Sequence, residues 1–263
     1  MLKMIAESWK KEGMSREDFI DYLANVHGPL VARHGKALGF RKYIQNHRLP
    51  SPEIDAFAEE RGWAQAPDSS VEIWFDSIES LQAAFNSPEG MAASAILEED
   101  ERRFVNPKNV SAFLAEEHII FDFMAPGLYR SSNDNTVKMV CQAWKKPDMD
   151  EKAFYQYWQV QHGDLVREQA RNMGFVRYVQ SHRIPSPEIE GFAKARGWRQ
   201  APYGLTEIWF ENEKGLSDAF SSPSSAKSSA ILEKDEVHFV NPNRLTAFLA
   251  REHVVFDDIK SKN

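Results

Sequence analysis

Cysteine, an excess of positive charge and long apolar runs are all scarce or missing in this sequence. Its 263 residues contain one cysteine, Cys141. A single cysteine cannot form a disulfide within the chain. We interpret it as a small core residue rather than a nucleophile, because free cysteine packs like a small apolar side chain. The sequence therefore favours neither a disulfide scaffold nor thiol chemistry.

The charge balance argues against a nucleic-acid surface. Lysine and arginine total 32 against 39 aspartates and glutamates, which gives a net charge of -7. Binding to phosphates requires a clustered positive field. No apolar stretch is long enough to span a bilayer, and the first residues do not have the pattern of a secretory signal. We predict no nucleic-acid partner, no membrane association, a cytoplasmic location and a small aromatic molecule as the ligand.

Motifs for common cofactors are also missing. The sequence has no P-loop, no glycine-rich dinucleotide turn and no nucleophile-elbow pattern. Histidines and Glu72 could supply metal ligands, but they lack the tight spacing typical of metal sites. We predict an activity that uses no cofactor and no metal.

The chain contains an internal duplication with a constant offset of 135 residues. The segment from Phe40 to Ile54 returns as Phe175 to Ile189. The same offset, without a gap, relates these pairs: Trp9 and Trp144, His27 and His162, Glu72 and Glu207, Trp74 and Trp209, His118 and His253. A repeat of this length holds its own core. We therefore predict two domains, 1-123 and 136-263, joined by a linker over 124-135.

Each copy has the pattern strand, helix, strand, strand, helix, strand. In the first copy, period-two patterns predict strands near residues 2-9, 42-47, 71-75 and 109-121. Ser15 followed by Asp18 predicts a helix start, and His27-Gly28-Pro29 predicts a break in that helix. Residues 50-67 form an insert with a short helix, which we interpret as a lid.

This order is the ferredoxin-like, split βαβ arrangement. One such sheet carries helices on one face only, so its other face has to be covered. A second copy on a short linker provides that cover. We predict an α+β protein in which two ferredoxin-like domains close face to face into a dimeric α/β barrel within one chain.

Five motifs of the first copy match a family pattern. They are His27-Gly28-Pro29, the strand from Tyr43 to His47, the segment Glu72-Ile73-Trp74-Phe75-Asp76-Ser77, Ser87-Pro88-Glu89-Gly90, and Glu117-His118. Together they resemble the EthD domain family of the dimeric α/β barrel superfamily. The resemblance implies a ferredoxin-like barrel with a ligand cavity, in a superfamily that includes cofactor-free polyketide cyclases, cofactor-free oxygenases and muconolactone isomerase. The sequence departs from single-domain members in its tandem fusion and in Asp164, where the first copy has Pro29.

Strand parity places polar and aromatic side chains on faces that we expect to line the barrel interior. The predicted catalytic residues are His47, Tyr43, Glu72, His27, His182, Tyr178, Glu207 and His162. The predicted substrate-binding residues are Glu7, Trp9, Trp74, Gln142, Trp144 and Trp209. An imidazole beside a phenol and a carboxylate, within tryptophan walls, suits proton transfer on an aromatic substrate. The alternative is that Tyr43, His47 and Glu72 form a satisfied buried polar network.

Other candidates also have two interpretations each. His27 either caps the broken end of its helix or points into the pocket. His118 is either a core or edge histidine or part of the site. Trp63 and Trp198 either close the mouth of a cavity or anchor a loop to the core.

The function that these residues favour is a cofactor-independent lyase (decarboxylation or carbon-carbon cleavage) or a cyclase/isomerase. It would act on a hydrophobic phenolic or polyketide-like molecule by histidine acid-base catalysis. The alternatives are a non-catalytic binder of aromatic metabolites and a cofactor-free oxygenase. The two-domain chain could also form a homodimer.

The two copies differ at one position that we expect to face the pocket. Glu7 of the first copy corresponds to Gln142 of the second, so only the first copy can place an acid there. A carboxylate near a histidine raises its pKa, whereas an amide does not. We predict that the two pockets are not equivalent and that the one with Glu7 and His47 dominates turnover.

Overall fold

The computed structural model describes residues 1-124 and 135-259 and contains a closed barrel of eight antiparallel strands. The strands are β1 (Leu2–Ser8), β2 (Lys42–Arg48), β3 (Ser69–Phe75), β4 (Ser111–Asp122), β5 (Val137–Ala143), β6 (Arg177–Ile184), β7 (Gly204–Phe210) and β8 (Thr246–Asp257). Their order around the barrel is β1-β3-β2-β8-β5-β7-β6-β4. The halves join where β2 pairs with β8 and β4 pairs with β6. The predicted fold class is confirmed. Most of the predicted linker lies outside the described residues, and the domain limits stay a prediction.

Helices pack on the outer face of the barrel. They are α1 (Arg16–Tyr22), α2 (Gly28–His34), α3 (Pro52–Glu60), α4 (Ile78–Phe85), α5 (Pro88–Phe104), α6 (Glu151–Gln156), α7 (Gly163–Gln169), α8 (Pro187–Arg196), α9 (Glu213–Ser221) and α10 (Pro223–Glu236). Their starts follow local capping chemistry, since the Ser15 side chain accepts a hydrogen bond from the Asp18 N–H, as predicted. Ser87 does the same for the Gly90 N–H at the start of α5.

The predicted break in the first helix is a π-helical turn. Leu23–His27 is π-helical and connects α1 to α2 without interruption. The Gly28 N–H bonds to the carbonyl of Leu23, five residues back. The second copy repeats this turn at Tyr157–His162. Such a bulge alters which side of the helix the next residues occupy, and it leaves both His27 and His162 buried.

Strand pairing decides which side chains share a face of the sheet. Residues directly opposite each other in an antiparallel pair lie on the same face. Tyr43 is opposite Ile73, whereas Ile44 is opposite Glu72. Tyr43 therefore faces the helices, and Glu72 faces the barrel interior.

One prediction about these faces was wrong. We expected Tyr43, His47, Glu72 and Trp74 to line one interior cavity, and the same for Tyr178, His182, Glu207 and Trp209. In each set the tyrosine and histidine face the helices, while the glutamate and tryptophan face the barrel interior. The alternation within one strand shows which of its own residues share a face. It does not show which residues of the neighbouring strand lie on that same face.

Ion pairs fill the centre of the barrel. Four carboxylates surround two lysines there: Glu72, Glu117, Glu207 and Glu252. Lys3 Nζ lies 2.8 Å from Glu72 and 2.9 Å from Glu207, and Lys138 Nζ lies 2.6 Å from both. Burial alone would lower the pKa of each lysine, but the surrounding carboxylates, Glu207 first among them, outweigh it and raise the pKa well above its ordinary value. Both lysines therefore stay charged.

Candidate functional site

Two cavities lie outside the barrel, between the sheet and the helices. The first cavity, of about 940 Å³ measured out to its mouth, is lined by β1, β2, β3 and α5 and by His27. The second cavity, of about 680 Å³, is lined by the matching elements of the second copy and by His162. Each volume includes open solvent at the mouth of the cavity, and the first cavity is the larger of the two.

Each cavity is closed by the insert of the other copy. Arg196 of α8 lines the first cavity and donates to Ser94 Oγ at 3.0 Å, with Glu98 at 3.1 Å. Arg61, just after α3, lines the second cavity and lies 3.1 Å from Glu236. The inserts that we interpreted as lids therefore cover the opposite half's cavity. Trp198 and Trp63 each line the cavity that their insert covers.

His27 is held by a carboxylate in the wall of the first cavity. Its Nδ1 lies 2.9 Å from Asp100 Oδ2, and the Tyr22 hydroxyl donates to Asp100 Oδ1 at 2.7 Å. The hydrogen bond from His27 holds the pKa of Asp100 below its ordinary value. An ionised Asp100 can only accept, so neutral His27 carries its proton on Nδ1 and keeps a lone pair on Nε2. The His27 side chain makes no helix cap, so the pocket interpretation of this residue fits the geometry.

The second cavity repeats this arrangement. His162 Nδ1 lies 2.8 Å from Asp235 Oδ2, and the Tyr157 hydroxyl donates to Asp235 Oδ1 at 2.7 Å. Burial alone would raise the pKa of Asp235, but hydrogen bonds from His162 and Tyr157 outweigh it and lower the pKa.

A second carboxyl, Glu101, lines the first cavity beside His27. Its side chain keeps 36% of its surface accessible, and Glu101 also lines a neighbouring groove together with Arg196 and Trp198. Burial raises the pKa of Glu101, and the charges of His27 and Arg196 oppose that shift. Arg196 is 3.7 Å away, whereas the counterpart Glu236 is only 3.1 Å from Arg61. Glu101 is therefore the less tightly paired of the two and the freer to exchange a proton.

His47 is not among the residues that line the first cavity. Its Nε2 lies 2.8 Å from Gln45 Oε1, and Gln45 Nε2 donates to the carbonyl of Leu23 at 2.8 Å. Leu23 begins the π-helical turn that carries His27. His47 thus supports the turn through Gln45, and His182 does the same through Gln180 and Trp158. The geometry favours a positioning role for His47 and His182 over the predicted role as the base.

Burial lowers the pKa of His47 to about 4 and that of His182 to about 3, with a further contribution from the neighbouring His253 and His118. Each ring lies near its neighbour, at 5.2 Å between His47 and His253 and 4.3 Å between His182 and His118. His118 lies where β4 of the first half pairs with β6 of the second half, which fits its interpretation as an edge histidine.

The free energy of unfolding is expected to fall as the pH is lowered from about 6.5 toward about 4. In this pH range the histidines of the unfolded chain bind protons, whereas the folded His47 and His182 stay neutral. Their contribution to the free energy of unfolding is therefore fully present above the unfolded pKa of about 6.5 and is lost as the pH falls toward their folded pKa values. Each histidine contributes up to about 1.4 kcal/mol per pH unit. Urea unfolding at several pH values measures the slope. His182→Phe should reduce it, while the exposed His238→Gln should not; an equal slope in wild type and His182→Phe would contradict the assignment.

The predicted substrate-binding residues lie in or at the ends of the barrel rather than around one pocket. Glu7 Oε2 accepts hydrogen bonds from Ser111 at 3.0 Å and from Gln142 at 2.8 Å, and burial raises the pKa of Glu7 to about 7. Trp144 donates to Gln142. Glu7 also lines the first cavity. Gln142 lines the second cavity, and its hydrogen bond to Glu7 joins the two cavities' walls where the two copies meet.

The tryptophans pack against cations. Trp74 has Lys42 Nζ 4.8 Å from its ring centre, and Trp209 has Lys138 Nζ at 4.9 Å. Trp9 lies beneath the guanidinium of Arg199, 4.4 Å from the ring centre. In each of these cation–π contacts a charged group of the protein itself occupies a face of the indole ring. None of these three tryptophans lines the first or the second cavity, and their role in substrate binding stays a prediction.

The sequence argument missed Tyr22, Asp100, Glu101 and Arg196. A signal for them was present, because all four recur at the same offset as Tyr157, Asp235, Glu236 and Arg61. Identity between copies at polar helical positions is the pattern that could have found them. These residues lie on helices, whereas the alternation that predicted the site concerns the strands.

The fold and the paired cavities define a dimeric α/β barrel whose two ferredoxin-like halves are fused in one chain. The model of the EthD domain matches residues 11-108 and again 146-243. The chain belongs to the EthD domain family and contains two copies of the domain. No curated protein matches the chain.

Solved structures share the architecture at low sequence identity. An anthrone oxidase-like protein matches with a TM-score of 0.59 and 8% identity, over 100% of this chain and 96% of that chain. An ethyl tert-butyl ether d (ethd) family protein from Bacillus halodurans is 24% identical, covers 45% of this chain and 99% of its own, and has a TM-score of 0.32. The first of these similarities supports the fold alone.

In the part of the chain that the structure describes, no helix is long and apolar enough to cross a membrane. The cytoplasmic location stays a prediction. Within residues 1-124 and 135-259, no group of three or more histidines, cysteines, aspartates or glutamates is arranged to hold a metal ion.

Proposed function

We propose that the chain is a cofactor-independent enzyme, a lyase or a cyclase/isomerase, that acts on a hydrophobic phenolic or polyketide-like molecule in the first cavity. The observation that carries the proposal is His27, fixed by Asp100 and Tyr22 in the wall of an apolar cavity. A histidine whose orientation and tautomer are held by a carboxylate is a general base whose charged form is stabilised.

In the proposed reaction, Nε2 of His27 takes a proton from an acidic carbon or a phenol of the bound molecule. Asp100, ionised because its pKa is lowered, stabilises the imidazolium that forms. Glu101, whose pKa is raised by burial, supplies a proton to the oxygen or carbon where negative charge develops. The guanidinium of Arg196 lies beside Glu101 and offers further stabilisation to that charge.

The first cavity rather than the second is proposed as the main catalytic site because it is larger. Leu23 of the first copy corresponds to Trp158, which lines the second cavity. The larger indole occupies space that the first cavity leaves open. A molecule of three fused rings is easier to accommodate where leucine stands.

Proton exchange on a probe tests this proposal without knowledge of the natural substrate. The probe is 1,8-dihydroxyanthrone, chosen for its acidic C10 methylene group and for the similarity to an anthrone oxidase-like protein. In D₂O under argon, the wild-type protein should accelerate loss of the C10 proton signal by NMR. Leu97→Trp fills the first cavity and should abolish the acceleration, while the matched Leu232→Trp fills the second and should retain most of it.

Two other outcomes separate the alternatives. Binding of the probe without accelerated exchange in any variant would favour a non-catalytic binder and contradict the proposal. Oxygen uptake that depends on the first cavity, measured after air is admitted, would point to the cofactor-free oxygenase instead.

A further inference from the structure

The two cavities differ at the end where Leu23 of the first copy and Trp158 of the second copy occupy equivalent positions. In the second copy the Trp158 ring packs against Gly204 of β7. A Cβ atom at Gly204 would come within 2.9 Å of two carbons of that ring and closer still to the carbonyl of Ser181. In the first copy the residue equivalent to Gly204 is Ser69, and Leu23 takes the place of the indole.

Two serine hydroxyls mark this end of the first cavity. Ser8 on β1 is paired with Ser69 on β3, and their Oγ atoms lie 2.8 Å apart. Met4 and Ser8 share one face of β1, and both line the first cavity. The residue equivalent to Ser8 in the second copy is Ala143. The second copy therefore lacks both hydroxyls at the end that its indole fills.

Ser8 is the member of this pair that a bound molecule can reach. Ser69 is fully buried, whereas Ser8 is half-buried and borders the cavity. Among the described residues, the Ser69 hydroxyl has one hydrogen-bonding partner, Ser8 Oγ. Because a buried donor needs an acceptor, Ser69 donates to Ser8. A hydroxyl has one hydrogen and two lone pairs, so the hydrogen of Ser8 stays available to the cavity.

The walls around Ser8 are apolar and lead toward His27. Val105 lines the same cavity and is bridged to Lys10, two residues beyond Ser8. Its neighbour Phe104 also lines the cavity, with its ring centre 5.1 Å from that of His27. Ser8 and His27 therefore border the same end of the cavity. In apolar surroundings an oxygen atom that loses its hydrogen bonds to water needs a donor to replace them.

We propose that this end of the first cavity is a subsite for the carbonyl oxygen of an aromatic ketone, which accepts a hydrogen bond from Ser8. Ser69 fixes the direction of that bond by donating to Ser8. The inference rests on the proposed function for the choice of cavity and deepens it, because it names a fused-ring ketone as the class of molecule. The second cavity has no such subsite, since Trp158 and Ala143 stand in its place.

A pair of probes of similar shape tests the proposal: 1-tetralone, which carries the ketone, and tetralin, which does not. Their binding is measured by titration calorimetry in the Leu232→Trp variant, whose second cavity is filled. Adding Ser8→Ala is expected to weaken binding of 1-tetralone about fivefold, the effect of one net hydrogen bond, and that of tetralin less than about twofold. Ser69→Ala frees the Ser8 hydroxyl to rotate and should cause a smaller loss, for the ketone alone.

The matched control is Ala143→Ser in the Leu97→Trp variant, whose first cavity is filled. It adds the hydroxyl at the end that Trp158 occupies and should not strengthen binding of 1-tetralone. Where a tryptophan variant does not fold, Ser8→Ala in the otherwise unchanged chain asks the same question, and 1-tetralone alone should lose affinity. Equal weakening of both probes, unchanged affinity for 1-tetralone in Ser8→Ala, or a gain from Ala143→Ser would overturn the proposal. Failure of the anthrone exchange assay beside an intact preference for 1-tetralone would contradict the proposed reaction and leave the subsite standing.

Discussion

Replacing His27 by alanine is expected to slow C10 exchange of 1,8-dihydroxyanthrone by about 10²- to 10⁴-fold, the usual contribution of a positioned general base. The substitution removes Nε2 and leaves Asp100 without the hydrogen bond that lowers its pKa. Exchange measured by NMR under argon gives the rate.

The matched substitution His162→Ala is the control. It removes the equivalent imidazole from the smaller cavity, where Trp158 replaces Leu23, and we expect less than about a threefold change because the chemistry is assigned to the first cavity. Tyr22→Phe should give an intermediate loss, because the hydroxyl contacts Asp100 and not His27. Equal losses in His27→Ala and His162→Ala would show two equivalent sites, and no loss in either would exclude these histidines as bases.

Replacing Lys138 by methionine is expected to lower the free energy of unfolding by about 3-5 kcal/mol, the range for breaking a buried ion pair. Lys138 Nζ contacts three carboxylates within 2.8 Å, and its side chain is 1% exposed. Without it, the negative charge of Glu72 and Glu207 at the barrel centre is left with Lys3 alone. Urea unfolding at pH 7 measures the loss.

Two variants control this measurement. Lys214→Met removes a lysine that is 80% exposed and paired with Asp218, and it should change stability by less than about 0.5 kcal/mol. The double variant Lys138→Met, Glu207→Leu removes a stranded carboxylate and should recover part of the loss. A single-variant loss below about 1 kcal/mol, or fully additive losses in the double variant, would contradict a structural role for the network.

The elements of the fold were predictable because their signals are local. Ser15 caps α1 through Asp18, three residues away, and the constant offset of the repeat implied a second sheet to cover the first. The π-helical turn was not predictable from the motif His27-Gly28-Pro29. It is stabilised by the hydrogen bond from Gln45 to the carbonyl of Leu23, a contact between residues 22 positions apart.

The site was only partly predictable, and the reason is register. His27, Tyr43 and their counterparts do line the two cavities, while Glu72 belongs to the barrel interior. Whether Glu72 shares a face with Tyr43 depends on which residue of β3 lies opposite Tyr43. No pattern within a single strand contains that information. Asp100 was recoverable in principle from its recurrence as Asp235, whereas its contact with His27 spans 73 positions and requires the fold.

The pairing of lids and cavities explains why duplication in one chain is compatible with divergence of the two sites. α8 covers the first cavity and α3 the second, so each site is built from both halves. Fusion makes the two halves separate sequences, and substitutions such as Leu23 to Trp158 and Val71 to Thr206 can then change one cavity alone.

The most direct test of the central claim is a crystal structure of the protein with 1,8-dihydroxyanthrone. The rings should lie in the first cavity, with C10 or a ring oxygen within hydrogen-bonding distance of Nε2 of His27, and with Asp100 still bound to Nδ1. Electron density for the probe against His47, or within the barrel beside Glu72 and Trp74, with the first cavity empty, would contradict it.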